Sequence, residues 1–205
     1  NSSVLGNSRR IREMARRAGH LVMALWERDI RPRHIITEAS IRNAVKVCLA
    51  VGGSIHALYH IPAIAIEAGL KVDVWQLFDE FSAYVPTLVG VEPNGPVNMA
   101  QYDAAGGTPA VMHVLRDMLD QDALTVTMEP IRTYFERSKV MDSTVIHSLE
   151  SPWRQSSGLA IFRGNLAPGG SVVRLSGLPS SLTSFRGTAK VFESEDAAID
   201  FVKKT

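Results

Sequence analysis

Apolar residues in the first third of the chain recur at helical spacing. Ile11, Met14, Ala18, Leu21 and Leu25 fall three or four positions apart and predict a helix over 8–26, with Pro32 in the linker that follows. Thr37 is placed as the N-cap of a second helix, which carries Ile41, Ala44, Val45, Cys48 and Leu49 on one face until Gly52-Gly53 stops it. Ser54 reads as the cap of a third helix ending at Gly69, and Pro62 inside it calls for a kink or a late start. Asp73 opens a short amphipathic segment with Val74, Leu77, Phe78 and Phe81 inward.

From residue 85 the pattern shortens. The apolar run 85–91 has the length of a buried strand, and Pro93-Asn94-Gly95-Pro96 marks a turn. Thr108 as N-cap with Pro109 at the first helical position predicts another helix, with Val111, Val114, Leu115, Met118 and Leu119 as its inward stripe. Residues 124–127 read as a strand, 130–138 as a short helix and 144–149 as a strand. Beyond Ser151-Pro152 lies the stretch 158–177, in which two β-rich runs, 159–163 and 171–175, flank Gly164, Asn165, Pro168, Gly169 and Gly170. That is the turn chemistry of a hairpin-like reversal. Residues 188–192 alternate like a strand, and Ser194 caps a last helix with Ala197, Ala198, Phe201 and Val202 inward. The expected class is α/β, with a helix-rich portion over 1–150 and a β-rich portion over 151–205.

Composition narrows the reading. With 45% hydrophobic and 21% charged residues the chain is ordinary globular material, and a net charge of +1 gives no support to a phosphate-backbone binder. The cluster Arg9, Arg10, Arg12, Arg16 and Arg17 reads as a solvated helix face; nucleic-acid binding there is a weaker alternative that predicts steep salt dependence. The single cysteine, Cys48, excludes an internal disulfide, fits a reducing, cytoplasmic setting and sits in an apolar run as a buried structural thiol. One thiolate does not hold a zinc ion or an iron–sulfur cluster without partners. No apolar run approaches the roughly twenty residues of a membrane span. The first residues show no secretory signal, and with no initiator Met the chain is expected to be a fragment of a longer product.

Three places carry candidate chemistry. Gly53 and Ser54, followed by His56, put a glycine pair before a helix N-terminus, where free N–H groups attract a carboxylate or phosphate; the alternative is a tight connection with His56 partly exposed. His56 and His60 are spaced to share a metal but lack the acidic residue of an HExxH pattern. Gly106-Gly107-Thr108-Pro109 repeats the arrangement without the Lys-Ser/Thr ending of a P-loop and reads as a structural turn. Arg163 and Asn165 offer a guanidinium and an amide to a substrate carboxylate, or simply face solvent beside a turn.

Taken in order, GGSIHALYHIPAIAIEAGL, PNGP, AAGGTPAVMHVL, DALTVT, GLAIFRGNLAPGGSVV and AKVFESEDAA resemble the dihydroxy-acid dehydratase and phosphogluconate dehydratase family across nearly the whole chain. The resemblance implies a hydro-lyase converting a 2,3-dihydroxy acid to a 2-keto acid, with an iron–sulfur cluster as Lewis acid beside a magnesium ion in the full-length family. It also implies an N-terminal α/β domain joined to a β-barrel-like swivel domain, and a homo-oligomer acting on a small dihydroxy or sugar acid, with neither nucleic acid nor membrane as partner. In the family the cluster cysteines lie upstream of this segment, and a metal-binding glutamate and the proposed serine base lie downstream. No catalytic or metal-ligating residue is therefore carried over to this chain, no cofactor is expected on it alone, and it is expected to be an inactive internal fragment. Ile55 and His56 stand where the family usually reads Thr and Asn, as in a divergent member. The GNLAP segment favours the dihydroxy-acid branch of branched-chain amino-acid biosynthesis, while PNGP and 144–153 lean towards phosphogluconate dehydratase. A non-catalytic binding module derived from the family is the third reading.

Overall fold

Local capping places most of the helices. In the computed structural model, which describes residues 4, 6–175 and 184–204, Ser8 Oγ accepts from the Ile11 N–H and starts α1 (Arg9–Glu27). Thr37 and Ser40 form a reciprocal capping box at the head of α3 (Glu38–Ala50), just beyond the one-turn α2 (Pro32–Ile35). Asp73 Oδ1 accepts from the Gln76 N–H to begin α5 (Val74–Ser82). Between them lies α4 (Ala57–Glu67), and after them come α6 (Met99–Ala104), α7 (Gly107–Val114), a 3-10 turn (Arg116–Met118) and α8 (Arg132–Arg137).

The core forms where α3 and α5 cross the extended segment 85–89. Val45 and Leu49 meet Phe78, Phe81, Leu88 and Leu115 there, all of them buried. The four residues expected to face inward on α5, Val74, Leu77, Phe78 and Phe81, do so. By contrast α1 buries none of its residues, and its apolar positions half-cover a shallow cavity shared with Val126, Thr127 and Tyr134. Two of its arginines are ion-paired, Arg9 with Glu13 and Arg10 with Asp103.

β1 (Leu159–Phe162) and β2 (Ser171–Arg174) form the expected antiparallel hairpin, with Leu159 opposite Arg174 and Phe162 opposite Ser171. The last two residues of the 158–177 stretch lie outside the described residues. Leu159 is only 2% exposed and belongs to the same core as the helices, so the hairpin is packed onto the helical body. With helices and this sheet the chain is a mixed α/β structure.

Several expected elements differ. Residues 85–90 are buried but form no strand ladder: the Leu88 N–H bonds the Ala50 carbonyl, the Leu88 carbonyl accepts from His147, and Thr87 exchanges bonds with Arg154. Helix ends and loops thus satisfy a backbone that an apolar pattern alone assigns to a sheet. Residues 144–149 form no strand either: they leave a turn in which the Val145 and Ile146 amides return to the Asp142 carbonyl, and 188–192 have no described ladder partner. α4 starts at Ala57 because 54–57 is a turn, so Ser54 is not its cap and Pro62 lies within the helix. α7 is capped by Gly106 at φ 116°, two residues ahead of Thr108. In α9 (Glu195–Lys204) Ser194 Oγ accepts from the Ala197 N–H as expected, but no residue is buried; Phe201 packs on Phe192 and under Lys190 instead.

Residues 124–127 enter a tight turn closed by the Thr125 N–H to the Glu129 carbonyl, with Met128 at φ 65°. A left-handed conformation is costly for a side-chain-bearing residue. Met128→Gly is expected to raise stability by about 0.5–1 kcal/mol, read as a higher urea midpoint, despite losing the Arg28 Nη1 contact to Met128 Sδ.

Candidate functional site

The glycine pair at the end of α3 is shaped by its own backbone. Val51 is the C-cap, Gly52 follows in the left-handed region at φ 61°, the Gly52 N–H bonds the Leu49 carbonyl, and the Gly53 N–H bonds the Cys48 carbonyl. This is a Schellman closure, which needs glycine just past the cap. A methyl on Gly158, the residue before β1, would lie 2.5 Å from Gly52 Cα, so the hairpin enters the body through direct backbone contact between two glycines. The neighbouring turn is equally tight: the Val97 N–H bonds the Gly90 carbonyl, the Glu92 N–H bonds the Val97 carbonyl, and Asn94 Nδ2 donates to the Gly52 carbonyl.

These approaches leave a cleft of about 360 Å³. Gly52, Gly53 and Ser54 line one side and Asn94 another; Tyr102 of α6, Thr108 of α7 and Arg174 at the end of β2 complete it. The Tyr102 hydroxyl donates to Thr108 Oγ1 at 3.0 Å, and burial pushes its pKa up to about 12 against the smaller opposing effect of that bond, so it stays a neutral donor. Two buried atoms in the lining residues, Asn94 Oδ1 and Arg174 Nε, have no hydrogen-bond partner among the described residues.

Of the residues singled out in the sequence, Gly53 and Ser54 line this cleft. His56 is exposed and supports Ser54: its backbone N–H donates to Ser54 Oγ at 3.2 Å, and its Nδ1 lies 2.9 Å from the same oxygen. The His56 and His60 rings are 6.3 Å apart, and no group of three or more His, Cys, Asp or Glu side chains converges among the described residues. Arg163 is ion-paired with Asp79 of α5, and Asn165 is exposed on the reversal; neither is among the residues lining the cleft. The register explains the separation. Arg174 pairs with Leu159 at the open end of the hairpin, whereas Arg163 follows Phe162 at the other, about 10–13 Å along the strands.

Among the lining residues, sequence reading passed over Arg174, Asn94 and Tyr102, and Glu92 and Met99 with them. Asn94 lay inside a recognised turn signal, whereas nothing local marks Arg174. Thr108, read as a helix cap, contributes its side chain to the cleft instead.

Cys48 packs against Gly53 and lines an apolar cavity of about 450 Å³ with Ala44, Val47 and Met112. Burial pushes its thiol up to about 11. Alkylation by iodoacetamide is therefore expected to be slow at neutral pH and to rise about tenfold per pH unit towards pH 11, whereas a thiol of ordinary pKa levels off near 9.

No helix among the described residues is long and apolar enough to cross a membrane. The family model for the N-terminal part of dihydroxy-acid/6-phosphogluconate dehydratases matches residues 1–134, and the C-terminal model of the same family matches 144–205. The chain is 40% identical over 191 residues to a dihydroxy-acid dehydratase of Acetivibrio thermocellus, covering 92% of this chain and 34% of the relative. To that of Methanothermobacter thermautotrophicus it is 39% identical over 196 residues, 95% of this chain and 36% of the relative. To that of Syntrophobacter fumaroxidans it is 42% identical over 188 residues, covering 90% and 34%. The chain thus spans about a third of the length of the curated relatives it matches.

Proposed function

The chain belongs to the dihydroxy-acid/6-phosphogluconate dehydratase family, and from that membership we propose that its cleft holds the carboxylate end of a 2,3-dihydroxy acid for loss of water to a 2-keto acid. The observation that carries this reading is convergence. The glycine pair of GGSIHALYH, the turn PNGP, Thr108 of GGTPAVM and the strand that follows GNLAP all contribute to one cleft. Residues far apart in sequence gather there, with Gly52 and Gly158 at the approach of the hairpin to the helical body.

In this reading Gly53 and Ser54 form the floor, His56 fixes the Ser54 hydroxyl, and Tyr102 with Thr108 presents neutral hydroxyls to the ligand. Residues 1–150 belong to an N-terminal domain and 151–205 begin a β-rich swivel domain, a division that the separate C-terminal match over 144–205 supports. The family's iron–sulfur and magnesium chemistry, which polarises the leaving hydroxyl, finds no fitting donor set in these residues: Cys48 is a lone thiol in an apolar cavity, and no metal-ligating group converges among the described residues. The role assigned to this chain is accordingly to bind, orient and shield the substrate.

Substrate choice within the family follows from charge. Among the described residues lining the cleft, Arg174 is the only cation, and Glu92 is acidic. One guanidinium suits a singly charged branched-chain dihydroxy acid better than a phosphorylated sugar acid with several negative charges. Calorimetric titration of the 205-residue chain tests this. It is expected to bind 2,3-dihydroxy-3-methylbutanoate in preference to 6-phosphogluconate, and the reverse order overturns the assignment.

A further inference from the structure

Two long helices, α1 and α9, bury none of their residues, and their exposed faces complement each other. α1 turns Ile11, Met14, Ala18 and Leu21 to the shallow cavity it shares with Tyr134. A second stripe, Arg12, Arg16, Gly19, Met23 and Trp26, advances by four and three residues in turn and is exposed throughout. Trp26 is 77% exposed, and a methyl added at Gly19 would meet nothing within 4 Å. Arg12 and Arg16 have no ion pair among the described residues, and the first turn of α1 holds no acidic residue. Cations at the positive end of a helix are unfavourable until an anion joins them. α9 carries the opposite sign. Its first turn holds Glu195 and Asp196, and Glu195, Ile199 and Val202 repeat the same spacing on an exposed face, with Val202 at 71%.

Stripes with this alternation of four and three are the seams along which helices pack knob into hole. Laid parallel, the two seams have one register that matches chemistry along their whole length. It sets Ile199 against Met23 and Val202 against Trp26, places Glu195 over the open side of Gly19 beside Arg16, and brings Lys203 to Glu27. Apolar side chains then meet apolar ones, with opposite charges paired at both ends. We propose that α1 of one copy of this chain receives α9 of a second copy, and that the exchange is reciprocal about a two-fold axis. None of these residues lines the cleft, so the pairing stands apart from the substrate reading. It gives the oligomer expected from the family a specific pair of faces.

Sedimentation velocity of the 205-residue chain tests this. The unaltered chain is expected to form a dimer that weakens as salt rises from roughly 50 to 500 mM. Arg16→Glu and Glu195→Lys, each at an exposed position, are expected to weaken association by about tenfold or more when studied singly. Mixed in equal amounts they are expected to restore it, because each contact of the mixed pair again joins opposite charges. Trp26→Ala removes a side chain that the fold does not bury and is expected to weaken association about tenfold without lowering the urea midpoint. A chain that stays monomeric at about 500 µM in low salt overturns the proposal. So does a dimer that Trp26→Ala leaves at full strength, or one that survives both charge reversals, since another face then holds the copies together. A mixture no stronger than its separate components overturns the pairing of α1 with α9.

Discussion

Replacing Gly158 with alanine is expected to lower stability by about 2–3 kcal/mol and Tm by roughly 5–10 °C. The added methyl would lie 2.5 Å from Gly52 Cα and 3.3 Å from the Gly52 carbonyl carbon. A flexible side chain would yield, but the obstacle here is backbone held by the closure at the end of α3 and by the Asn94 bond to the Gly52 carbonyl. The strain relaxes by moving the hairpin outward, which withdraws Leu159 from the core and Arg174 from the cleft together. Urea unfolding measures the loss. Gly164→Ala is the control in the same hairpin: nothing lies within 4 Å of the added methyl, and its effect is expected within about 0.5 kcal/mol. A Gly158→Ala midpoint equal to that of the control would show that the contact is not constraining.

Asn43→Ala is expected to cost about 2–3 kcal/mol for a different reason. Asn43 lies within α3 at 4% exposure, and its amide serves both backbone groups of Asp120: Nδ2 donates to the carbonyl at 2.9 Å and Oδ1 accepts the N–H at 2.8 Å. Alanine leaves one donor and one acceptor unsatisfied and releases the chain after the 3-10 turn from α3. Asn43→Asp is expected to be no better, because the carboxylate keeps the N–H but turns its other oxygen towards the carbonyl. Denaturant midpoints of both variants check this; a loss below 0.5 kcal/mol for alanine would mean that water replaces the bridge.

These two positions also mark how far the sequence is legible. Caps at Ser8, Thr37, Asp73 and Ser194 are local devices, each an oxygen three residues ahead of the N–H it meets, and the helices they start lie as expected. The hairpin is legible for the same reason, because its turn residues lie between its strands. The segment 85–91 is different: an apolar run states that a segment is buried, not which groups satisfy its backbone, and here helix ends and loops do so, while 124–127 and 144–149 run into turns closed on nearby carbonyls. Nothing local marks Asn43, because its partner lies 77 residues away. In the site, glycines before a helix pointed to Gly53 and Ser54, whereas Arg174 enters through strand register and the contact of Gly158 with Gly52, neither of which local spacing reveals.

The most direct test of the account is an amide-resolved NMR titration of the chain with 2,3-dihydroxy-3-methylbutanoate. Saturable shifts are expected at 52–54, 91, 92, 94, 108 and 174, with the exposed faces of α1 and α9 unaffected. Shifts confined to those helices, or none at millimolar acid, would contradict the claim that these separated loops form one binding site.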